Sequence, residues 1–374
     1  MKILIAPDSF KESLQATQVA EAIAEGIKTS IPDAICKLLP FSDGGEGAFE
    51  VLEALNLGAL VNTATYDPLG RIIEAPYFAF TDNKTAWIEL SQASGLALLK
   101  NHEQNPLNTS TFGTGIQIKK AIEAGLHNII LGIGGSATHD IATGIFTALG
   151  GRLLDAGDHE LKAGGASLQN CKSLDFRQLI PELSETHFTI ACDVTNPLIG
   201  PNGAAHTYAA QKGAHAAMIE QLEKATRPFS KLLEVKTQKD IANQEGAGAA
   251  GGTAAGMLAF TNARLKNGFD ILAELTNLEE RIQTADLIIT GEGHTDDQSR
   301  FGKVPFKIAN LAKKYNKPVL LYSGGITANP DILSNSGFTA TFALKTPEMS
   351  LDFAKQNAFK LLAQKVTDTI KQFI

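Results

Sequence analysis

Lys2-Ile3-Leu4-Ile5-Ala6-Pro7-Asp8-Ser9-Phe10-Lys11 is a short β-rich run, stopped by a proline and followed at once by an acid, a hydroxyl and a lysine. An apolar run of this length, closed by turn residues, reads as a strand buried on both faces, as in a parallel sheet. The same grammar returns at residues 128–133, 188–192, 287–290, 319–322 and 340–344, each bounded by Gly, Pro, Asp or Ser. Between these runs lie helical patterns. Val19, Ile23 and Ile27 recur at helical spacing with Thr17 as the expected N-cap, and Ile116, Ala121, Ile122 and Ala124 lead up to Gly125, an expected C-cap. Strands alternating with helices give an α/β class.

A chain of 374 residues is too long for one ordinary core, so two domains are expected. No repeat of fixed period and no low-complexity linker separates two halves, which argues for one domain inserted into another. The turn Asp67-Pro68-Leu69-Gly70-Arg71 marks the expected crossing, and the charged stretch at 279–281 the return. The expected boundaries are therefore 1–66 with 284–374 for a doubly wound α/β domain, and 67–283 for a second α/β domain, with the active-site cleft between them.

The net charge of −7, with no cluster of Lys and Arg, excludes a nucleic-acid binder, which needs a basic face. The longest uncharged stretch, 246–263, is mostly Gly and Ala and too weakly apolar to span a bilayer. The first apolar run is too short for a signal peptide. Cys36, Cys171 and Cys192 are odd in number and widely spaced, which fits a reducing compartment. A cytoplasmic location, with no membrane and no nucleic acid as partner, is expected.

Open parallel sheets bind ligands beyond the carboxyl ends of their strands, so the loops are the places to look for chemistry. Asp8 and Lys11 follow the first strand, an acid to orient a substrate or metal and a cation to neutralise an anion. Ser42-Asp43-Gly44-Gly45-Glu46-Gly47 has more glycines and acids than a turn requires. Gly132-Ile133-Gly134-Gly135-Ser136-Ala137-Thr138, read as a strand-to-helix loop, offers backbone N–H groups and hydroxyls to phosphate oxygens. Asp193, in Ala191-Cys192-Asp193-Val194-Thr195-Asn196-Pro197, stands at a strand tip, where a carboxylate can deprotonate a hydroxyl or hold Mg2+. Gln211-Lys212-Gly213 supplies another cation. Thr290-Gly291-Glu292-Gly293-His294-Thr295-Asp296-Asp297-Gln298, then Gly302-Lys303, has an acid density that packing does not explain.

Rival signatures fail on context. Residues 246–251 match GxGxxG, but a polar stretch precedes them where a dinucleotide fold needs a strand. The small residues there suit close backbone packing or a lid. There is no Walker GxxxxGK[ST], no protein-kinase motif set, no GxSxG elbow, no HExxH and no Cys/His cluster.

Taken in order, these segments resemble the type I glycerate kinases, the bacterial ATP-dependent family. Ala6 to Lys11, Ser42 to Gly47, Asp67 to Arg71, Ala93-Ser94-Gly95-Leu96, Gly132 to Thr138, Ala191 to Val194, Gln211-Lys212-Gly213-Ala214, 246–252 and Thr290 to Gly293 all match, across nearly the whole chain. The resemblance implies Mg2+- and ATP-dependent phosphorylation of D-glycerate, to 2-phosphoglycerate in preference to 3-phosphoglycerate, by a monomer or homodimer. It also implies that the domain built from both chain ends is flavodoxin-like, with a parallel sheet. The alternatives are a kinase for a related hydroxy acid and a non-catalytic sensor that keeps the fold. The chain departs from the family at His139-Asp140-Ile141-Ala142, where Asn-Asp-Gly-Gly is usual, and at His294, where Arg is usual. An ordinary helical backbone at Ile141, or a changed site, is the expected consequence.

The roles expected on this basis are as follows. Asp193 is the base with Asp296 in reserve, and Lys11 assists in catalysis. Asp8, Ser9, Arg71, Ser94, Lys212, Lys303 and His294 bind the substrate. Gly132, Gly134, Gly135, Ser136 and Thr138 bind nucleotide, and Asp43 and Glu292 hold Mg2+.

Overall fold

The computed structural model describes residues 1–44 and 47–374; the Gly45-Glu46 part of the second glycine-rich loop lies outside the described residues. Thirteen strands are formed among the described residues. The first six are β1 (Lys2–Ile5), β2 (Ile35–Leu38), β3 (Gly58–Tyr66), β4 (Ile72–Phe80), β5 (Thr85–Glu89) and β6 (Asn128–Gly132). They are followed by β7 (Arg152–Leu154), β8 (Ser173–Asp175), β9 (His187–Ala191), β10 (Arg264–Lys266), β11 (Leu287–Thr295), β12 (Val319–Ile326) and β13 (Ala340–Ala343). The chain divides into two compact units, Met1–Asn56 with Phe269–Ile374, and Leu57–Gly268.

The first unit is built on a five-stranded sheet of order β13-β12-β11-β1-β2, every neighbouring pair parallel. In chain order that is the 2-1-3-4-5 arrangement of flavodoxin-like folds, with its topological switch between β1 and β11. Ile3, Ile5, Leu287, Ile289, Leu320 and Tyr322 fill its core against Val19, Ile23 and Ile27 of the helix Ala16–Ser30. That helix is capped at Gln15 rather than Thr17: the Gln15 N–H donates to Gln18 Oε1 at 3.0 Å, while the Thr17 hydroxyl is turned to Glu50.

The second unit holds a six-stranded sheet, β10-β9-β6-β5-β4-β3, parallel from β10 to β5 and antiparallel beyond, with a small β7-β8 ribbon. β3 and β4 pair along nine residues around the Asp67–Arg71 turn, so the turn expected to mark the crossing is instead a hairpin inside this unit. That pairing moves the first boundary from 66/67 to 56/57. The second lies at 268/269 rather than 283/284, because Phe269 packs against Phe41, tilted, at 4.9 Å between ring centroids and so belongs to the first unit.

The backbone at Ile141 and Ala142 is not helical. Both residues are left-handed, with φ of +51° and +55°, and both are fully buried. Opposite them Ala250, Gly251 and Gly252 are also left-handed. A Cβ on Gly251 would lie 2.0 Å from the Thr138 carbonyl oxygen, and one on Gly256 would lie 2.0 Å from that of Ile141. The glycines of 246–256 therefore serve close backbone packing. A left-handed residue with a Cβ costs about 1–2 kcal/mol, against about 0.8 kcal/mol for one buried methyl group. Ala142→Gly is thus expected to leave stability unchanged or raise it by up to about 1 kcal/mol. Ile141→Gly, which deletes a whole buried side chain, is expected to lower it by about 2–3 kcal/mol. Urea denaturation of the two variants checks this contrast.

Candidate functional site

At the switch point of the first unit the ladder continues past the ends of the apolar runs. The Ala6 N–H donates to the Ile289 carbonyl and the Asp8 N–H to that of Gly291, both at 2.8 Å, and the Phe41 N–H donates to the Pro7 carbonyl at 2.9 Å. These bonds draw Asp8, Asp43 and the Glu292 region together. The stretch 290–295, expected as a loop, is strand: Glu292 pairs with Ser323, His294 with Gly325 and Thr295 with Ile326. Glycine permits this extension, since a Cβ on Gly291 would lie 2.6 Å from the Tyr322 carbonyl oxygen and one on Gly324 would lie 2.4 Å from that of Gly293.

A cavity of about 890 Å3 opens over these strand ends, and Asp8, Ser9, Lys11, Asp43, Glu292, His294 and Lys303 all line it. Glu292 is buried; its Oε1 accepts the Thr295 hydroxyl at 2.9 Å and its Oε2 lies 3.0 Å from the Lys303 ammonium. Burial pushes its carboxyl above the ordinary range, opposed by the Lys303 hydrogen bond. Lys303 also donates to the His294 carbonyl at 2.9 Å, and His294 Nε2 is 3.0 Å from the Thr327 hydroxyl. Asp8 accepts the Ser9 N–H at 2.7 Å, and its carboxyl is pushed up to about 7, first by burial and then by the Asp43 charge.

Asp296 caps its own turn: Oδ1 accepts the N–H groups of Gln298 and Ser299 at 3.0 and 2.9 Å, and, against burial, the Ser299 hydroxyl, then Lys303 and these N–H groups hold the carboxyl below the ordinary range. It does not line the cavity. Asp193, Arg71, Ser94, Lys212 and the Gly132 loop belong to the second unit. Asp193 is exposed beyond β9 and accepts the Gly268 N–H at 3.1 Å. Arg71 is paired with Asp67 and with Glu103, the latter at 2.8 Å. Ser94 is fully buried, with its hydroxyl 2.7 Å from that of Thr114.

The Gly132 loop does not run into a helix, as the sequence pattern had suggested; the next helix is Thr143–Ala148, beyond the left-handed pair. Gly132 itself ends β6 in the sheet, between Glu89 and Ala191. The Ala137 N–H donates to the Ser94 carbonyl and the Leu96 N–H to that of Gly135, which stitch the loop to the chain at 94–96. Gly134 and Gly135 stay exposed. Beneath them the buried Lys212 ammonium donates to Ser136 Oγ and to the Thr138 carbonyl, both at 2.7 Å.

Burial lowers Lys212 from 10.5 to about 7, against the pull of Asp140. A lysine with a depressed folded value loses its proton first in the folded state. Between about 7 and 10.5 the unfolded chain binds the extra proton, so this group makes stability rise with pH across that window. The slope approaches about 1.4 kcal/mol per pH unit for one proton. Lys212→Met is expected to flatten the rise between pH 7 and 9, read from urea midpoints of the two proteins at several pH values. His139, one residue past the loop, is buried against the Thr226 hydroxyl at 3.0 Å and lowered to about 3, so it is a neutral core histidine.

The sequence reading missed Thr295 and Thr327, which hold Glu292 and His294, and the apolar wall of the cavity at Ile326, Leu344 and Leu351. Hydroxyl residues alternating with Gly and acids along 290–295 were the available signal for Thr295; the apolar residues looked like ordinary core. Among the described residues no helix is long and apolar enough to cross a membrane, and no three His, Cys, Asp or Glu side chains form a metal cage.

A family model described as the glycerate kinase family matches residues 3–374. Glycerate 2-kinase of Escherichia coli K12 is 44% identical over 359 residues, 96% of this chain and 94% of that protein. Glycerate kinase of Haemophilus influenzae is 42% identical over 376 residues, 98% of this chain and all of that one. The crystal structure of a putative glycerate kinase 2 from Salmonella typhimurium LT2 superposes with a TM-score of 0.89 at 40% identity, covering 100% of this chain and 98% of that one.

Proposed function

This chain belongs to the glycerate kinase family, and from that premise we propose that it moves the γ-phosphoryl group of ATP onto the 2-hydroxyl of D-glycerate. The observation that supports the reading best is the gathering of Asp8, Asp43 and Glu292 with Lys11 and Lys303 in one cavity at the switch point of a flavodoxin-like sheet.

Phosphoryl transfer asks a protein mainly for positioning and charge neutralisation. In our reading the substrate hydroxyl oxygen attacks the γ-phosphorus, the bond to the β-phosphate oxygen breaks, and ADP leaves. The hydroxyl proton passes to Asp8, the acid at the tip of β1, which takes the role expected of Asp193. Lys11 and Lys303 neutralise the transferring group, and Glu292 with Thr295 holds Lys303 in place. The exposed backbone at Gly134 and Gly135, with Lys212 beneath, offers the second unit an element for anionic oxygens.

The donor set fits Mg2+. A kinase Mg2+ is held by one or two carboxylates, phosphate oxygens and water, and Asp43 and Glu292 supply hard oxygens that line the same cavity as Asp8. Held by these carboxylates, Mg2+ would neutralise phosphate charge.

The name of the E. coli relative supports the 2-position. Proton-coupled 31P NMR of the reaction mixture tests it. A phosphate on the secondary carbon couples to one hydrogen and gives a doublet; on the primary carbon it couples to two and gives a triplet. A doublet is expected, and a triplet would move the product to 3-phosphoglycerate.

A further inference from the structure

The cavity of about 890 Å3 is several times what a three-carbon acid fills, and lies near the top of the range of about 300–1,000 Å3 used for larger ligands. Its polarity follows the strand order. Asp43 follows β2, Asp8 and Lys11 follow β1, and Glu292 and His294 lie on β11, so the acids, with Lys11 and Lys303, sit over one side of the sheet. The other side, over β12 and β13, is walled by Ile326, Leu344 and Pro347, then by Leu351, Ala354 and Ala358. Two lysines also line this end. Lys355 is ion-paired with Glu12, and Lys345 reaches the Thr346 carbonyl at 3.5 Å. With strands about 4.8 Å apart, the ends of β2 and β13 are separated by four spacings, roughly 19 Å. A ligand lying across them meets the acids at one end and, at the other, a mainly apolar wall edged by Lys345 and Lys355.

We infer that the β12–β13 end of this cavity receives the base and sugar of the nucleotide, with the phosphates laid over β11, β1 and β2. A flat, weakly polar ring buries its faces against Ile326, Leu344 and Leu351, while the triphosphate is met by Lys303 and Lys11. The nucleotide is thereby assigned to the first unit, and not to the Gly132 loop where the sequence pattern had placed it. The inference rests on the kinase reading above.

Two measurements on the full-length protein test it. Photolabelling with 2-azido-ATP, followed by peptide mapping, is expected to mark the segment 343–358, with the label displaced by ATP. ATP-protected label on 132–142 would overturn the assignment and leave the kinase reading standing. No protected label together with no ADP formed from ATP and D-glycerate would overturn both. Ala354→Trp places a large ring in the half-buried position of the short helix Leu351–Gln356. It is expected to raise KM for ATP at least tenfold and leave KM for D-glycerate within twofold, with an unchanged circular dichroism spectrum. An unchanged KM for ATP in the folded variant would also overturn the assignment.

Discussion

Asp8→Asn is expected to lower kcat by roughly two to four orders of magnitude and, in the same protein, to raise thermal stability. The two effects share a cause. Burial and the Asp43 charge raise the Asp8 carboxyl to about 7. Between its ordinary value of 3.8 and about 7, the folded state binds the extra proton, so this group's contribution to stability falls as pH rises. At pH 8, with EDTA present, the wild type carries the full cost of an ionised carboxylate in an acidic, half-buried position. Asparagine removes that charge and keeps the shape, for an expected gain of about 1–3 kcal/mol. The gain should shrink towards pH 4, where the wild-type carboxyl is protonated in the folded state. A variant that lost activity but melted like the wild type at pH 8 would show Asp8 to be solvated and uncrowded, contrary to the structure. A variant that kept its turnover would remove it from the chemistry.

Glu292→Gln is the second large effect. Glu292 is buried on β11 between Lys303 and Thr295. The amide keeps the volume and still accepts the Thr295 hydroxyl, but it loses the charge that holds the lysine. Lys303 retains the His294 carbonyl, so it is not orphaned and the fold should survive. Removing one group that positions charge at a phosphoryl-transfer site costs about 10²–10³ in kcat. The same change should raise the Mg2+ concentration needed for half-maximal rate, because one of the two proposed carboxylate donors is gone. Steady-state rates over a Mg2+ titration check both. Loss of rate with unchanged Mg2+ dependence would confine Glu292 to holding Lys303.

What the sequence disclosed about the fold depended on burial. β1, β6, β9, β11 and β12 are largely buried over their apolar runs, and such runs stand out; β13 is a half-buried edge strand whose run Ala340–Ala343 is still apolar enough to read. β2 did not stand out: Ile35–Leu38 is an edge strand, largely exposed and containing Lys37, so its pattern resembles a surface segment. The β3–β4 hairpin was hidden for a related reason, since β3 is a mostly exposed edge strand without a continuous apolar run. The left-handed pair Ile141-Ala142 was illegible in principle. A β-branched residue is the poorest candidate for positive φ, and only the glycines packed against it across the fold show why the chain turns there.

The candidate site was legible in kind more than in arrangement. Acids and lysines after strand ends were readable, and Asp8, Lys11, Asp43, Glu292 and Lys303 do meet in one cavity. Other polar residues singled out in the sequence are engaged in local bonds. Asp296 serves its turn, Arg71 serves Asp67 and Glu103, and Ser94 serves a buried hydroxyl pair. Spacing along the chain does not show whether a polar side chain is free or already spent on its own loop.

The most direct test of the whole account is the rate of ADP release from Mg2+ and ATP on addition of D-glycerate, measured for the wild type beside Asp8→Asn and Glu292→Gln. The account predicts glycerate-dependent release by the wild type that falls at least about a hundredfold in each folded variant. A wild type that releases no ADP with D-glycerate, or variants that match it, would contradict the account.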